Sequence, residues 1–244
     1  MYTITSVMIV SLISLIGVFT LSFNKSRLEK ITQSLVSFAV GGLFGDAIIH
    51  LLPESFERMG INLNTSIYVL VGILIFFVLE KIIRWQHCHI PTSEDHLHPV
   101  GAMNLMGDVI HNLFDGLVIG VSYLSGTSIG IATTIAVILH EIPQEIGDFG
   151  VLVHSGLSVG RALFFNFLSA LVAVLGAVIS LLVGPYIANY AVILLPLTAG
   201  GFLYIAGSDL IPELQHDIKL SRSISQLLFI VFGIGIMVLL AVLE

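Results

Sequence analysis

Charged residues are scarce in this chain: only 10% of its 244 residues are Asp, Glu, Lys or Arg. Soluble domains contain about a quarter charged residues, so this composition argues against a soluble globular protein. The chain also has a single cysteine, Cys88, which excludes an internal disulfide framework. Hydrophobic residues, in contrast, make up 56% of the sequence, and this balance points to a membrane protein.

Eight apolar runs contain most of these hydrophobic residues. Each run is close to the roughly 20 residues that a helix needs to cross about 30 Å of hydrocarbon. Because lipid cannot satisfy free backbone groups, and no barrel-like alternation is visible, we expect helices. The predicted fold class is an all-α, multi-pass integral membrane protein with eight transmembrane helices. Runs 1 to 8 cover residues 5–23, 31–52, 64–83, 102–124, 128–153, 162–183, 190–211 and 224–243.

The distribution of basic residues predicts the orientation of the chain. Run 1 has no basic residue ahead of it, unlike a secretory signal peptide, and is expected to remain as the first span. Of the nine Lys and Arg residues, only Arg58 follows an even-numbered run. Both termini are therefore expected to be extracytoplasmic, in the plasma or inner membrane. The other eight are Lys25, Arg27, Lys30, Lys81, Arg84, Arg161, Lys219 and Arg222.

Runs 2 and 7 resemble each other in sequence. VGGLFGDAIIHLLPES (40–55) aligns without gaps with AGGFLYIAGSDLIPEL (199–214), with matched glycines and a shared Pro-Glu pair. Their predicted directions are opposite, which favours an inverted repeat, as in secondary transporters, over chance similarity between Gly-rich helices. We therefore expect one domain, 1–244, in a 3+2+3 arrangement. Its parts are repeat one (about 1–84), a cytoplasmic loop (85–101), a central pair of helices (about 102–154) and repeat two (about 160–244).

Polar residues interrupt runs 4 and 5 in the segments GDVIHNLFDG and HEIPQEIGDF. At ~100° per residue, Asp108, His111 and Asp115 share a ~60° arc of run 4, next to Asn112. On run 5, five polar side chains share a ~140° arc. Each helix is therefore expected to aim one polar face at the other. The five are His140, Glu141, Gln144, Glu145 and Asp148.

Carboxylates inside the predicted spans lack basic neighbours, since Lys and Arg are confined to loops and span ends. A charged residue at the bilayer centre costs about 2.5–3.5 kcal/mol, so these groups must be protonated, hydrated in a cavity or neutralised by a bound cation. Histidines and carboxylates on facing helices suit zinc and related divalent metals. Hydrogen bonding between helices explains single residues equally well but not so many like charges, and a proton relay is the alternative for Asp148 and Asp209. The carboxylates are Asp46, Asp108, Asp115, Glu141, Glu145, Asp148 and Asp209.

The stretch HEIPQ (140–144) begins like the H-E-x-x-H motif of zinc proteases. Gln144, however, occupies the position of the second zinc-binding histidine, so the protease interpretation fails at a required ligand. Pro143 lacks an N–H and clashes with the carbonyl of Leu139, which predicts a kink at this point. An ordinary, tolerated membrane proline is the alternative.

Loop 86–98, QHCHIPTSEDHLH, combines four histidines, one cysteine and two acidic residues. Such His/Cys-rich tracts bind metal weakly in some proteins, and the predicted side is cytoplasmic. A solvated loop without a metal role is the alternative, and the sequence does not decide between them. The candidate ligands are His87, Cys88, His89, His96 and His98.

Together, HNLFDG and HEIPQEIGDFG resemble the ZIP (Zrt/Irt-like) family of metal transporters. GGLFGDAIIHLLPE, NFLSA and AGGFLYIAGSDLIPEL are similar to helices 2, 6 and 7 of the subgroup whose fifth helix reads HEIPHELGDF. The resemblance implies an eight-helix bundle in a 3+2+3 inverted arrangement, with termini outside. It also implies movement of divalent metal toward the cytoplasm through a two-metal site between helices 4 and 5.

The resemblance assigns residues to two adjacent metal positions by motif. The first position would be formed by His111, Asp115, His140 and Gln144. The second would be lined by Asn112, Asp115, Glu141, Gln144 and Asn166. The transport pathway would include Asp46, His50, Glu145 and Asp148. Gln144 departs from the Glu or His usual in the family, and Asn166 lies where some members supply a carboxylate, so both departures weaken the second position.

These features favour an importer of divalent transition metal, zinc before others, that works by alternating access between runs 4 and 5. Fe²⁺, Mn²⁺, Cd²⁺ and Co²⁺ are alternative substrates, since histidine–carboxylate sites accept several metals. The metal is expected as substrate rather than cofactor, without enzymatic activity. Expected partners are the metal ion and the lipid bilayer, with a homodimer left open and no nucleic acid. The alternatives are an intramembrane zinc hydrolase, with zinc on His111, Asp115 and His140, and a metal sensor.

Overall fold

The structure is a computed structural model that describes residues 2–20, 25–85, 99–187, 189–215 and 220–243. Within these ranges the regular elements are helical, and no strand occurs. Two 3-10 turns (Ser14–Ile16, Gly184–Tyr186) and two π-helical turns (Asp46–Leu51, Ile205–Leu210) accompany the α-helices. The α-helices are α1 (Tyr2–Ile13), α2 (Gly17–Thr20), α3 (Lys25–Gly45), α4 (Leu52–Met59), α5 (Leu63–Trp85), α6 (Pro99–Ser125), α7 (Thr127–His154), α8 (Val159–Ala170), α9 (Val172–Val183), α10 (Tyr190–Tyr204), α11 (Ile211–Leu214) and α12 (Leu220–Leu243).

Seven stretches of the described chain are long and apolar enough to cross a membrane. At 28 residues α7 is also long enough, but its polar stretch 140–148 lowers its hydropathy. The all-helical class is therefore confirmed for the described residues, while the eighth span stays a prediction. The seven stretches are Tyr2–Thr20, Lys30–Met59, Leu63–Lys81, Asn104–Ser125, Val159–Tyr186, Tyr190–Ser208 and Leu220–Leu243.

Runs 1 and 6 are interrupted in the structure, and the two breaks lie against each other. Run 1 passes through a 3-10 turn after α1, and run 6 divides at Leu171 between α8 and α9. Ser11 Oγ donates a hydrogen bond of 2.7 Å to the carbonyl of Ala170. Asn166 Nδ2 donates one of 3.2 Å to the carbonyl of Ser14. A side chain of each run therefore donates a hydrogen bond to a backbone carbonyl near the break in the other run. Inside a membrane such carbonyls need a donor from the protein, since no lipid donor is available.

Runs 2 and 7 contain the π-helical turns, and each turn is followed by a proline, Pro53 or Pro212. Proline has no N–H to donate to a carbonyl of the preceding turn. The residue just before each proline donates instead to the carbonyl five positions back, which is the π pattern. These two hydrogen bonds run from Leu52 to Ala47 and from Ile211 to Ala206.

Glycines set the closest crossings of the outer helices. α3 packs on α12 and α5 packs on α10, and at each crossing two glycines face backbone carbonyls of the other helix. A Cβ added at any of these positions would overlap the carbonyl, so the approach depends on glycine, as at other small-residue contacts between membrane helices. The contacts are Gly41 on Ile230, Gly233 on Phe38, Gly72 on Leu197 and Gly200 on Val69.

A second group of helices surrounds α6. α6 packs on α7, α8 and α9, and α1 packs on α7 and α9. Gly116 of α6 faces the Ala173 carbonyl, and Gly176 of α9 faces the Leu113 carbonyl. The two groups meet where α3 contacts α7 and α10 contacts α6. The polar faces of α6 and α7 therefore lie inside the protein, near the boundary between the groups.

Candidate metal site

Two histidines and two carboxylates from α6 and α7 converge on one point, which we call the histidine site. His111 Nε2 lies 3.2 Å from His140 Nε2, and Asp115 Oδ2 lies 3.2 Å from His140 Nε2 and 3.8 Å from His111 Nε2. Glu141 Oε1 lies 3.5 Å from His111 Nε2 and 3.7 Å from His140 Nε2. The four ligand atoms all lie within 4.8 Å of one another.

Helical periodicity brings these side chains together. His111 and Asp115 are four residues apart on α6 and therefore share a face. On α7, the His140 Nδ1 lies 3.1 Å from the carbonyl of Ala136, one turn earlier. A contact at Nδ1 fixes the ring and leaves Nε2 available to a ligand, as is usual for metal-binding histidines.

The spacings in the histidine site suit one tetrahedral ion. With metal–ligand distances of about 2.1 Å, the ligand atoms of a tetrahedral zinc ion lie roughly 3.4 Å apart. The distances between Nε2 atoms and carboxylate oxygens here are 3.2–3.8 Å. Two imidazole nitrogens with two carboxylate oxygens are also ligand types that zinc prefers. The residues present therefore fit a divalent transition metal.

Burial raises the free energy of the charged carboxylates in the histidine site when no ion is bound. The side chains of Asp115, His140 and Glu141 are 1–2% exposed, whereas that of His111 is 18% exposed. Neither carboxylate oxygen of Glu141 receives a hydrogen bond from the part of the chain that the structure describes. A buried, charged carboxylate without donors is strongly disfavoured, so a bound cation would stabilise this arrangement. Access to the site is on the side of His111.

Asn112 and Gln144 lie next to the histidine site but face another carboxylate. Asn112 Nδ2 donates to Asp108, to the side-chain Oδ1 at 2.8 Å and to the backbone carbonyl at 3.1 Å. The Gln144 side chain also lies beside Asp108. The structure therefore brings together His111, Asp115, His140 and Glu141, and the roles of Asn112 and Gln144 as metal ligands stay predictions.

A second group of acidic side chains, which we call the carboxylate cluster, lies on the same helix faces. It consists of Asp108, Glu145 and Asp148, with one oxygen of each within 4.8 Å of the others. Asn166 of α8 donates to Glu145, and Asn104 Nδ2 donates to Asp148 Oδ1 at 2.8 Å. Ser169 Oγ donates to Asp108.

Three residues of the carboxylate cluster and its surroundings, Asp108, Asn104 and Ser169, are not among the predicted site residues. Asp108 lies on the predicted polar face of run 4 but was not included in the predicted site. Asn104 is four residues before Asp108, so the same helical periodicity would have found it. Ser169 follows Asn166 by three residues, but a serine in an apolar run carries no signal of its own.

A cavity of about 510 Å³ lies between α3, α5, α6, α7 and α10. Its wall includes His111 and Gln144 beside the histidine site, and Asp108, Asp148 and Asn104 from the carboxylate cluster. Thr32 and Glu80 line it as well, near the basic ends of α3 and α5, and Tyr204 OH donates to Glu80 Oε2 at 2.5 Å. The cavity therefore connects the exposed edge of the histidine site with the end of the bundle predicted to be cytoplasmic.

The other predicted pathway residues, Asp46 and His50, belong to neither group. Asp46 and His50 occupy the first π-helical turn, where His50 Nδ1 lies 3.4 Å from Asp46 Oδ1 and both side chains are buried. The predicted loop ligands lie outside the described residues. They are His87, Cys88, His89, His96 and His98.

Comparison with known proteins decides the family. The profile described as ZIP Zinc transporter matches residues 1–100 and 86–241 of this chain. The chain belongs to this family. The family predicted from runs 4 and 5 is therefore confirmed, and with seven apolar spans in its described part the ZIP protein is an integral, multi-pass membrane protein.

Curated relatives extend the match over most of the chain. Zinc transporter zipt-7.1 of Caenorhabditis briggsae is 31% identical over 278 residues, covering 86% of this ZIP chain and 71% of that protein. Zinc transporter SLC39A7 of Rattus norvegicus is 31% identical over 314 residues, covering 91% of this chain and 67% of that protein. Zinc transporter ZIP13 of Pongo abelii is 35% identical over 222 residues, covering 85% and 66% respectively. These relatives are named as transporters, not as enzymes.

Proposed function

We propose that this ZIP protein carries zinc across its membrane toward the cytoplasm, with the histidine site as the binding site in transit. The observation that carries the proposal is the convergence of two imidazoles and two buried carboxylates at 3.2–3.8 Å. Relatives that cover most of the chain are named zinc transporters. Zinc is the substrate in this proposal, and no separate cofactor is required.

The histidine site has the chemistry to exchange an ion with water. Asp115 and Glu141 supply two negative charges that balance Zn²⁺, and the two imidazoles complete a set of four ligands. A transport site must also release its ion, so one side must be open to replacement ligands. His111, the most exposed of the four, adjoins the cavity and is where water would replace a protein ligand first.

In the proposed topology α7 is a span of its own, and eight spans form a 3+2+3 inverted repeat. The π-helical turns Asp46–Leu51 and Ile205–Leu210 support it, because they occupy matching positions in the alignment of runs 2 and 7. The paired hydrogen bonds at the breaks of runs 1 and 6 also support it, since these two runs would be repeat partners.

The glycine contacts of the outer helices support the same repeat. In the alignment of runs 2 and 7, Gly41 matches Gly200, and extending it backwards matches Phe38 with Leu197. Gly41 contacts a carbonyl of α12, and Gly200 contacts a carbonyl of α5. In the same way, the carbonyl of Phe38 contacts a glycine of α12, and the carbonyl of Leu197 contacts a glycine of α5. The contact of α3 with α12 thus has an equivalent in that of α10 with α5, as a repeat of runs 1–3 in runs 6–8 requires.

Alternating access would arise by movement of the two helix groups against each other. Close glycine contacts hold helices together within each group, whereas the polar faces and the cavity lie near the boundary. The cavity extends toward the ends of α3 and α5 that carry Lys30 and Lys81, the side predicted to be cytoplasmic. This direction supports release of zinc into the cytoplasm.

The second metal position implied by the family stays part of the proposal. The Oδ1 atoms of Asn112 and Asn166 receive no hydrogen bond from any residue that the structure describes, and both side chains are buried. These oxygens and the carboxylate of Glu141 are available to an ion next to the histidine site. Asp46 and His50 keep their proposed place on the pathway, where a carboxylate and an imidazole adjoin.

Zinc uptake into sealed vesicles tests the proposed function. The purified ZIP protein is reconstituted into liposomes loaded with a zinc-sensitive dye, and zinc is added outside. We expect a rise in dye signal that protein-free vesicles lack and that saturates with zinc concentration. Zinc binding without uptake would contradict the proposed transport and favour a metal sensor. A metal-dependent hydrolysis product would favour the intramembrane zinc hydrolase.

A further inference from the structure

We propose that Asp108, Glu145 and Asp148 form a second divalent-cation site, built from oxygen ligands only and separate from the histidine site. The inference deepens the proposed function, on which it rests, by adding a second place beside the cavity where a divalent cation halts. None of the three residues belongs to either metal position implied by the family resemblance. The site selects hard divalent cations, with Mn²⁺ as the transition metal of that class.

The three carboxylates lie close enough together to share one ion. One oxygen from each of the three carboxylates lies within 4.8 Å of the other two. Metal–oxygen distances in Mg²⁺ and Ca²⁺ sites range over roughly 2.0–2.6 Å, so two oxygens on opposite sides of an ion lie about 4–5 Å apart. One ion between α6 and α7 can therefore reach all three side chains with small rotations.

Hydrogen bonding leaves selected oxygens of the cluster available to a ligand. Asn166 Nδ2 holds Glu145 Oε2, and Asn104 Nδ2 holds Asp148 Oδ1. The second oxygen of each of these carboxylates receives no hydrogen bond from the described part of the chain. Glu145 is fully buried, so its free Oε1 cannot be satisfied by bulk water. Neutral donors thus orient Glu145 and Asp148 and leave one oxygen of each for an ion. Both oxygens of Asp108 accept a hydrogen bond, from Asn112 and Ser169, and offer an ion only their remaining lone pairs.

Charge gives an independent argument. Among the described residues, no Lys or Arg side chain forms an ion pair with any member of the cluster. Glu141, fully buried and also lacking a hydrogen-bond donor in the described chain, lies near Asp108 and Glu145 and adds a further negative charge. Carboxylates packed together in a membrane interior need a compensating cation, protonation or water. The unpartnered oxygens of Glu145 and Asp148, together with access from the cavity, favour a cation.

The cavity provides access to the cluster. Asp108, Asp148 and Asn104 line its wall, whereas Glu145 is fully buried and is not part of that wall. An ion can therefore reach the cluster from the cavity while keeping several water ligands, as hard divalent cations prefer. The cluster and the histidine site both adjoin this cavity, so an ion can reach either site from it.

Ligand type separates the two sites chemically. The histidine site offers two imidazole nitrogens, which suit zinc, whereas the cluster offers carboxylate and amide oxygens, which suit Mn²⁺, Mg²⁺ and Ca²⁺. Mn²⁺ is paramagnetic and accepts both kinds of ligand, so it is the probe for both sites. Pulsed electron paramagnetic resonance detects the ¹⁴N nucleus of a coordinated imidazole and distinguishes the two.

The experiment uses the full-length protein in detergent with Mn²⁺ alone. In a His111→Ala/His140→Ala variant, we expect about one Mn²⁺ per chain, bound without ¹⁴N modulation, as for an oxygen-only site. Adding Asp108→Asn and Asp148→Asn should abolish that binding. In the otherwise unchanged protein, the two asparagine substitutions should leave Mn²⁺ bound with ¹⁴N modulation. Glu54→Gln/Glu57→Gln, which removes two carboxylates from α4, is the matched control and should change nothing.

Two outcomes overturn the second site. Either the double-histidine variant binds no Mn²⁺ while remaining monodisperse, or its Mn²⁺ persists after the asparagine substitutions, as adventitious binding would. Because asparagine is nearly isosteric with aspartate, unfolding is not expected, and the melting temperature of each variant checks it. Failure of transport is measured separately: vesicles without zinc uptake would contradict the proposed function even where the oxygen-only Mn²⁺ signal is present.

Discussion

Replacing Asp115 by asparagine is expected to weaken zinc binding by about 100-fold or more, since loss of even an outer-shell partner costs 10–100-fold in metal affinity. Asp115 Oδ2 adjoins both imidazoles, at 3.2 Å from His140 Nε2 and 3.8 Å from His111 Nε2. Asparagine keeps the volume but exchanges a charged ligand for a neutral amide. Competition against a chelating dye, on purified protein in detergent, measures the dissociation constant.

The same variant has a second readout that a structural role would not give. Without zinc, Asp115 is a buried carboxylate in a membrane interior, so removing its charge should not lower the melting temperature. We therefore expect Asp115→Asn to melt at or above the wild-type temperature in chelator, and to lose the increase that zinc gives the wild type. Glu57→Gln, which removes an exposed carboxylate from α4, is the matched control and should keep wild-type affinity. Unchanged zinc affinity in Asp115→Asn would remove this residue from the site.

Substituting alanine for Gly116 is expected to destabilise the fold by about 1–3 kcal/mol or more, because overpacking a close crossing forces the backbone apart. A Cβ at this position would overlap the carbonyl of Ala173, and backbone atoms cannot rotate away as a side chain can. The crossing of α6 with α9 supports the helix that carries His111 and Asp115. Loss of monodisperse protein and a lower melting temperature are the expected results.

Gly235 provides the control for this substitution. It lies in α12, and a Cβ at this position would meet no atom within 4 Å. Since alanine has a higher helix propensity than glycine, Gly235→Ala should melt at or slightly above the wild-type temperature. Equal melting temperatures for Gly116→Ala and Gly235→Ala would show that the α6–α9 crossing tolerates a wider separation.

The histidine site could be predicted because helical periodicity and ligand chemistry give independent signals. His111 and Asp115 share a face by their spacing, and His140 and Glu141 follow in a helix with a matching polar face. The carboxylate cluster was harder to predict, since its donors Asn166 and Ser169 come from a helix that is mostly apolar. Their contacts depend on how α8 packs against α6 and α7, which no local pattern encodes.

The interruptions of the apolar runs were not predicted, for two different reasons. The π-helical turns have a local cause in Pro53 and Pro212, which the sequence displays, but proline alone does not distinguish a kink from a π turn. The breaks of runs 1 and 6 have no such marker, because Ser11 and Asn166 stabilise them across distant parts of the chain. The contact between the Gln144 side chain and Asp108 also depends on how distant parts of the chain pack. The position of Gln144 in its motif therefore does not predict this contact.

The central claim is that zinc crosses the membrane through the histidine site, and His140→Ala tests it most directly. The variant and the wild type are reconstituted at equal amounts into dye-loaded liposomes, after both are shown to be monodisperse. The proposed mechanism predicts saturable zinc uptake by the wild type and uptake no faster than protein-free vesicles for His140→Ala. Uptake by His140→Ala at the wild-type rate and with the wild-type concentration dependence would contradict it, and zinc would then cross by a route that does not include these helix faces.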